Sequence, residues 1–166
     1  IILREIENYV LYYFPISDDL FKIMVTLLSS SLGVLAATIM APITEEIFFR
    51  GALLNNLNVK YSPLLSIFFS ALLFGFFHLN PWQFLPAFLG GLFFGYLYNI
   101  SKNIWLCILL HFFNNGMAIL LETSGLKLKG INYDPRVEIE FQPLWLTILG
   151  LVIFIYGINK IHYKFN

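Results

Sequence analysis

The run APITEEIFFRGALL, residues 41–54, sets Glu45, Glu46 and Arg50 into sequence that is otherwise almost wholly apolar. On a helix the two acids stand about 100° apart, whereas Glu46 and Arg50 are four residues apart and can pair along one face. Glu46 is then neutralised locally and steadies the helix, and Glu45 points elsewhere without a built-in counter-ion. An ionisable group in hydrocarbon costs on the order of 3 kcal/mol or more, so each one inside an apolar stretch is a candidate for function. The alternative is a solvated interfacial turn just after Pro42. Two later stretches carry the other singular polar side chains: FGFFHLNP ends an apolar run on His78, and LLHFFNN places His111 and Asn115 one helical turn apart on one face.

The elements that must position these groups are membrane helices. The chain has 166 residues, 58% hydrophobic and 12% charged, with a mean hydropathy of +0.75, far from the balance of a soluble domain. A hydrocarbon core about 30 Å thick needs roughly 20 mostly apolar residues per helix. Spans are predicted at 23–41, 64–79, 82–100, 104–121 and 143–158, with a further helix over 42–59 carrying the charged run and a short amphipathic helix in the first twenty residues. Several are short, so partial or tilted spans are expected. A backbone in lipid must satisfy its own hydrogen bonds and nothing alternates like a barrel strand, so the fold class is all-α, a polytopic bundle of about six helices. The whole chain, 1–166, reads as one membrane-embedded domain with its motif core over 41–115; it begins Ile-Ile-Leu rather than with Met, and further upstream residues are expected.

Smaller signals refine this outline. Trp82, Trp105 and Trp145 each open a predicted span, where an indole would meet the headgroups. Ser29, Gly33 and Ala37 recur every four residues, as do Gly91 and Gly95, and are read as close-packing faces. Cys107, the only cysteine, falls within a span and excludes an intrachain disulfide; its expected role is packing. Net charge is zero and no Lys/Arg block is present, which argues against nucleic acid and for lipid and membrane-embedded partners. Alternating the spans puts Arg4, Lys22, Lys60, Lys102, Lys160 and Lys164 on one side and Lys127, Lys129 and Arg136 on the other, so the first side is expected to be cytoplasmic. On the same alternation Glu45, His78 and Asn115 approach one level near the second side, with Asn115 about 9 Å short of it.

In order and approximate spacing these residues resemble a known family. EEIFFR resembles the E-E-x-x-x-R motif of the CAAX protease and bacteriocin-processing (abortive-infection) family, FGFFH its F-x-x-x-H, and HFFNN its H-x-x-x-N. The resemblance implies an intramembrane endopeptidase in which Glu45, with His78, activates a water for attack on a peptide carbonyl. His111 and Asn115 would form the oxyanion-binding side, and Glu46 and Arg50 would support the site. No cofactor is implied. Zinc is the nearest rival, since two His and a Glu can ligate it, but there is no H-E-x-x-H and each of these His is the only one on its helix. Serine chemistry lacks a G-x-S-x-G, and Asp18, Asp19 and Asp134 all lie outside the spans, which excludes an aspartyl pair.

A non-catalytic scaffold or immunity protein of the same fold is a second class of reading, and a proton-coupled carrier a third, though no repeated halves with broken helices are visible. The expected partner is a membrane-associated peptide or protein, and the Asn-, Ile- and Lys-rich composition fits a bacterial cytoplasmic membrane. The 122–142 segment reads as a solvated loop, with gating or substrate binding as its alternative.

Overall fold

The computed structural model describes residues 1–124, 126, 128–132, 134 and 138–165. Among these it is all-helical, with seven helices: α1 (Ile2–Tyr13), α2 (Asp18–Leu28), α3 (Ser31–Lys60), α4 (Pro63–Phe77), α5 (Pro81–Ser101), α6 (Ile104–Thr123) and α7 (Leu144–Phe165). The last three and α3 are long and apolar enough to cross a membrane, and α4 is a shorter apolar helix of 15 residues. Large apolar side chains such as Leu32, Leu64, Phe77 and Ile153 face outward, as they do where the surroundings are lipid. The chain is an integral membrane protein.

The largest departure from expectation lies at Pro42. Separate helices over 23–41 and 42–59 are replaced by one 30-residue helix, α3, and the chain breaks earlier, where Ser30 caps α3 by accepting from Gly33 N. A proline inside an α-helix removes one hydrogen bond and clashes with the carbonyl four residues before it. Here the preceding turn, Ala36–Met40, is π-helical, so its coil is wider and Pro42 is accommodated. A second π-helical stretch, Ile47–Leu54, follows the acidic pair, so Glu45 and Glu46 stand between two widened segments. The Ser29–Gly33–Ala37 row is consequently not one face: Gly33 sits in the break, where an added Cβ would meet Leu27 O at 1.8 Å.

Helix α4 is short and that shortness matters. Fifteen residues rise about 22 Å, less than the hydrocarbon thickness, so His78, its C-cap, is left within the expected depth of the membrane. Glu45 lies fifteen residues from the Lys60 end of α3, and His78 fifteen residues from the start of α4, so the two reach comparable heights. Backbone that turns in lipid must be satisfied by protein. Leu79 adopts a left-handed conformation (φ 56°), His78 N and Leu79 N reach back to Gly75 O and Phe76 O, and Asn80 donates to His78 O at 2.9 Å while capping α5 by accepting from Gln83 N.

The α4–α5 hairpin packs closely through Gly91 and Gly95, whose missing side chains admit Ala71 and Ile67. The core below it comprises Leu54, Ile67, Leu97, Tyr98 and Cys107, so the lone cysteine is a packing residue. Trp105 and Trp145 are exposed as expected, but Trp82 is buried. The polar side of α1 turns inward: Asn8 donates to Gly130 O and to Glu5, Glu5 accepts from Gln142 N, and Arg4 donates to Ile131 O. Part of the 122–142 segment is thereby packed against α1, and Gly130 (φ +71°) has no room for a side chain there. Residues 125, 127, 133 and 135–137 of that segment, Lys127 and Arg136 among them, lie outside the described residues.

These contacts undo the charge tally. Arg4 lies beside Ile131, on the side of the α6–α7 connection, and Lys22 precedes the Ser31 end of α3 whereas Lys60 closes its opposite end. The two therefore do not reinforce Lys60, Lys102, Lys160 and Lys164, and the argument for which side is cytoplasmic falls away.

Close α4–α5 packing generates a test. At Gly91 an added Cβ would lie 3.0 Å from Ala71 Cα and Cβ, so Gly91→Val should lower the thermal midpoint in detergent by several degrees, on the order of 1–3 kcal/mol of overpacking. Gly157→Ala, with open space around it, should leave the midpoint unchanged or raise it.

Candidate active site

Glu46 and Arg50 are both fully buried, 0% exposed, and Arg50 Nη1 donates to Glu46 Oε1 at 2.9 Å. The same oxygen accepts from His111 Nδ1 on α6 at 2.8 Å. Arg50 Nη2 reaches Gly91 O on α5 at 3.3 Å. One carboxylate oxygen thus joins two helices directly and a third through the guanidinium, while Glu46 Oε2, also buried, has no hydrogen-bond partner among the described residues.

Glu45 turns the other way, as its 100° offset requires, and is half-buried. Its Oε2 stands 3.8 Å from His111 Nε2, and the titratable and charged neighbours acting on it are His111, His78, Glu46 and Arg50. The imidazole of His111 therefore lies between the two acids. Since Glu46 Oε1 already accepts from Arg50, the proton shared with His111 belongs to the ring, which places a hydrogen on Nδ1 and turns Nε2 toward Glu45.

His78 is held by similar logic. Its Nδ1 is 3.0 Å from Phe74 O, a group that can only accept, so Nδ1 carries the hydrogen and Nε2 has the lone pair. Two phenylalanines organise the rings. Phe74 lies edge-on to both His78 and His111, at 5.0 and 6.0 Å, and Phe94 lies nearly parallel to His111 at 5.3 Å. The Arg50 guanidinium sits over Phe74 at 4.6 Å and near Phe94 at 5.5 Å, so the cation is held by π faces as well as by Glu46.

Asn115 lies one turn beyond His111 and its Nδ2 donates to Ala37 O in the first π-helical stretch at 3.0 Å, while its Oδ1 accepts from Asn114. Of the six residues singled out by sequence, Arg50, Glu46, His111 and Glu45 form a chain of contacts in that order, His78 is an electrostatic neighbour of Glu45, and Asn115 is tied to the backbone of the helix that carries Glu45. The bond from His111 to Glu46 was not anticipated, nor was the share taken by Phe94 and Gly91. Phe74 was signalled by F-x-x-x-H and Gly91 by its small-residue spacing; Phe94 had no signal beyond its place on an apolar helix.

Chemically, the arrangement offers a partly buried carboxylate, two oriented imidazoles and an amide donor. With a hydrogen on each ring nitrogen, His111 could donate from Nε2 to an oxyanion. No group of three or more His, Cys, Asp or Glu among the described residues is placed to hold a metal ion.

Comparison with known proteins follows the same residues. Residues 27–117 match the family model for type II CAAX prenyl endopeptidases, Rce1-like. The chain is similar to the Bacillus subtilis (strain 168) protein named "Putative membrane peptidase YdiL", 28% identical over 153 residues, which cover 90% of this chain and 58% of that relative. The chain therefore spans less than two thirds of the length of the curated relative it matches. No solved structure matches it.

The buried pair predicts a stability effect with a distinctive pattern. Arg50→Ala leaves the buried Glu46 charge without its cation, with only the His111 hydrogen bond remaining, and should destabilise the fold by about 3–5 kcal/mol, whereas Arg50→Met with Glu46→Gln should recover much of the loss. Thermal unfolding of the single and double variants in one detergent checks this; a double variant worse than Arg50→Ala would contradict it.

Proposed function

Because the chain belongs to the Rce1-like family of type II CAAX prenyl endopeptidases, we propose that it is an intramembrane endopeptidase whose Glu45, aided by His78, activates water against a peptide bond of a membrane-associated protein or peptide. The observation that carries the reading is the placement of the Glu45 carboxylate 3.8 Å from an imidazole that Glu46 holds from behind. A free carboxylate beside oriented rings, in apolar surroundings, is what water activation needs.

In the proposed reaction Glu45 takes one proton of the water as its oxygen bonds to the scissile carbonyl carbon, and His78 Nε2 accepts the second hydrogen to orient the molecule. The carbonyl oxygen becomes an oxyanion facing Asn115 and the His111 imidazolium, whose charge it offsets. As the tetrahedral intermediate collapses the carbon–nitrogen bond breaks, the leaving nitrogen takes the proton held by Glu45, and a carboxylic acid and a free amine remain. No covalent intermediate and no metal enter. In support of a metal-free route, His111 Nδ1 is already bonded to Glu46, and its Nε2 faces a single carboxylate.

The test is cleavage by the purified chain in lipid nanodiscs of two probes, a farnesylated C-terminal peptide and an unprenylated membrane-tethered peptide, read by mass spectrometry. Glu45→Gln and His78→Ala should remove nearly all turnover. Asn115→Ala should reduce it by roughly a hundredfold or more, as for other oxyanion donors. Phenanthroline should leave the rate unchanged. Near-normal turnover in Glu45→Gln, with the fold intact by thermal unfolding, would overturn the proposal, and activity lost to the chelator and restored by zinc would replace it with metal hydrolysis.

A further inference from the structure

Pro42 alters the backbone hydrogen bonding beside the site. In the π-helical turn Ala36–Met40 the Ala41 N–H donates to Ala36 O, five residues back, rather than to Ala37 O. The next donor in that register for Ala37 O would be residue 42, which is proline and has no N–H. Ala37 O is thereby left without a backbone partner in the interior of a membrane helix, where an unpaired carbonyl is costly. Asn115 Nδ2, from α6, donates to this oxygen at 3.0 Å.

We propose that Pro42 is a positioning residue: by withholding a backbone donor from Ala37 O it reserves that carbonyl for Asn115, and so sets the amide that faces the oxyanion. This rests on the reading of Asn115 given under Proposed function. A carboxamide nitrogen has two hydrogens. One is used on Ala37 O and fixes the plane and direction of the group; the other is left for substrate. On the other flank of the acidic pair, within the second π-helical stretch, Ser70 of α4 donates to Phe49 O at 3.0 Å. Side chains of α6 and α4 thus bind backbone carbonyls of the helix carrying Glu45, which is thereby registered against both. Oriented donors contribute to catalysis only when they need not reorganise, and a misplacement of about 1 Å can cost on the order of a hundredfold in rate.

Pro42→Ala restores an N–H that competes with Asn115 for Ala37 O. With the cleaved peptide probe in nanodiscs, kcat should fall by about ten- to a hundredfold with KM within about twofold, because the defect acts on the transition state. The discriminating measurement is the cycle with Asn115→Ala. In that background Pro42→Ala should change kcat by less than about twofold, since there is no amide left to misplace. Equal loss in both backgrounds would mean a merely structural role and overturn the proposal, as would full activity of Pro42→Ala. An independent readout uses 15N-asparagine-labelled protein and NMR, with the Asn115 side-chain amide identified by its disappearance in Asn115→Asp. One of its two protons should be shifted downfield in the wild-type chain and should lose that shift in Pro42→Ala. Absence of the downfield proton in the wild type overturns the proposal even if Pro42→Ala fails to fold. If the wild-type chain cleaves neither probe, the proteolytic reading fails and the amide signal alone decides whether Pro42 sets Asn115.

Discussion

Glu46 Oε1 is the point on which the rest of the structure depends. It accepts from Arg50 on its own helix and from His111 on α6, and Arg50 in turn holds Gly91 O on α5. A buried carboxylate and guanidinium lose much hydration energy, and such a pair is retained at little net gain in stability unless it specifies something. Here it specifies the relative rotation of three helices. With α3, α5 and α6 locked about one oxygen, the adjacent carboxylate, Glu45, has one direction left, and it meets the far nitrogen of the same imidazole.

The stacking of Phe74 and Phe94 belongs to that constraint. A guanidinium that makes only a few hydrogen bonds in apolar surroundings needs another source of stabilisation, and two ring faces provide it. The same rings press on His78 and His111. Substituting either phenylalanine would therefore disturb the cation and an imidazole together. Nearby, Gly91 has two duties: its carbonyl is bonded by Arg50, and its missing side chain lets α4 approach closely enough to bring Phe74 over the guanidinium.

Irregular helix backbone gathers in this neighbourhood. The two π-helical stretches flank Glu45 and Glu46, and the early end of α4 leaves His78 on a turn within membrane depth. Polar backbone at such places must be satisfied within the protein, and a side chain reaches each of them: Asn115 on Ala37 O, Ser70 on Phe49 O, Asn80 on His78 O. Polar residues that look sporadic in an apolar sequence are thus partners of backbone carbonyls. By contrast α7 buries no residue and meets the bundle through contacts such as Phe93–Phe154 and Tyr96–His162, as suits a helix solvated mainly by lipid.

Helices α4, α5 and α6 were legible in the sequence to within about two residues, and α7 at its start though it runs seven residues beyond the expected end, because long apolar runs bounded by Asn, Pro, Lys and Ser leave little freedom in lipid. The Glu46–Arg50 pair was legible as well, since four-residue spacing brings side chains together in any regular helix, and the divergence of Glu45 from it follows from the angle per residue alone. What lay beyond local sequence was whatever depended on a second helix. A break was expected at Pro42 because proline disrupts an α-helix in isolation; the wider coil and the amide of Asn115, 73 residues further on, allow α3 to continue. Sidedness was hidden from the sequence for the same reason, since merging two predicted spans into one inverts every assignment upstream. The choice of partner for His111, Glu46 on one nitrogen and Glu45 on the other, was decided by tertiary packing, because spacing along one chain says nothing about which face of α6 meets which face of α3. Chemistry was thus written in residue type and local spacing; its geometry came only with the packing of helices, where distance in sequence ceases to measure distance in space.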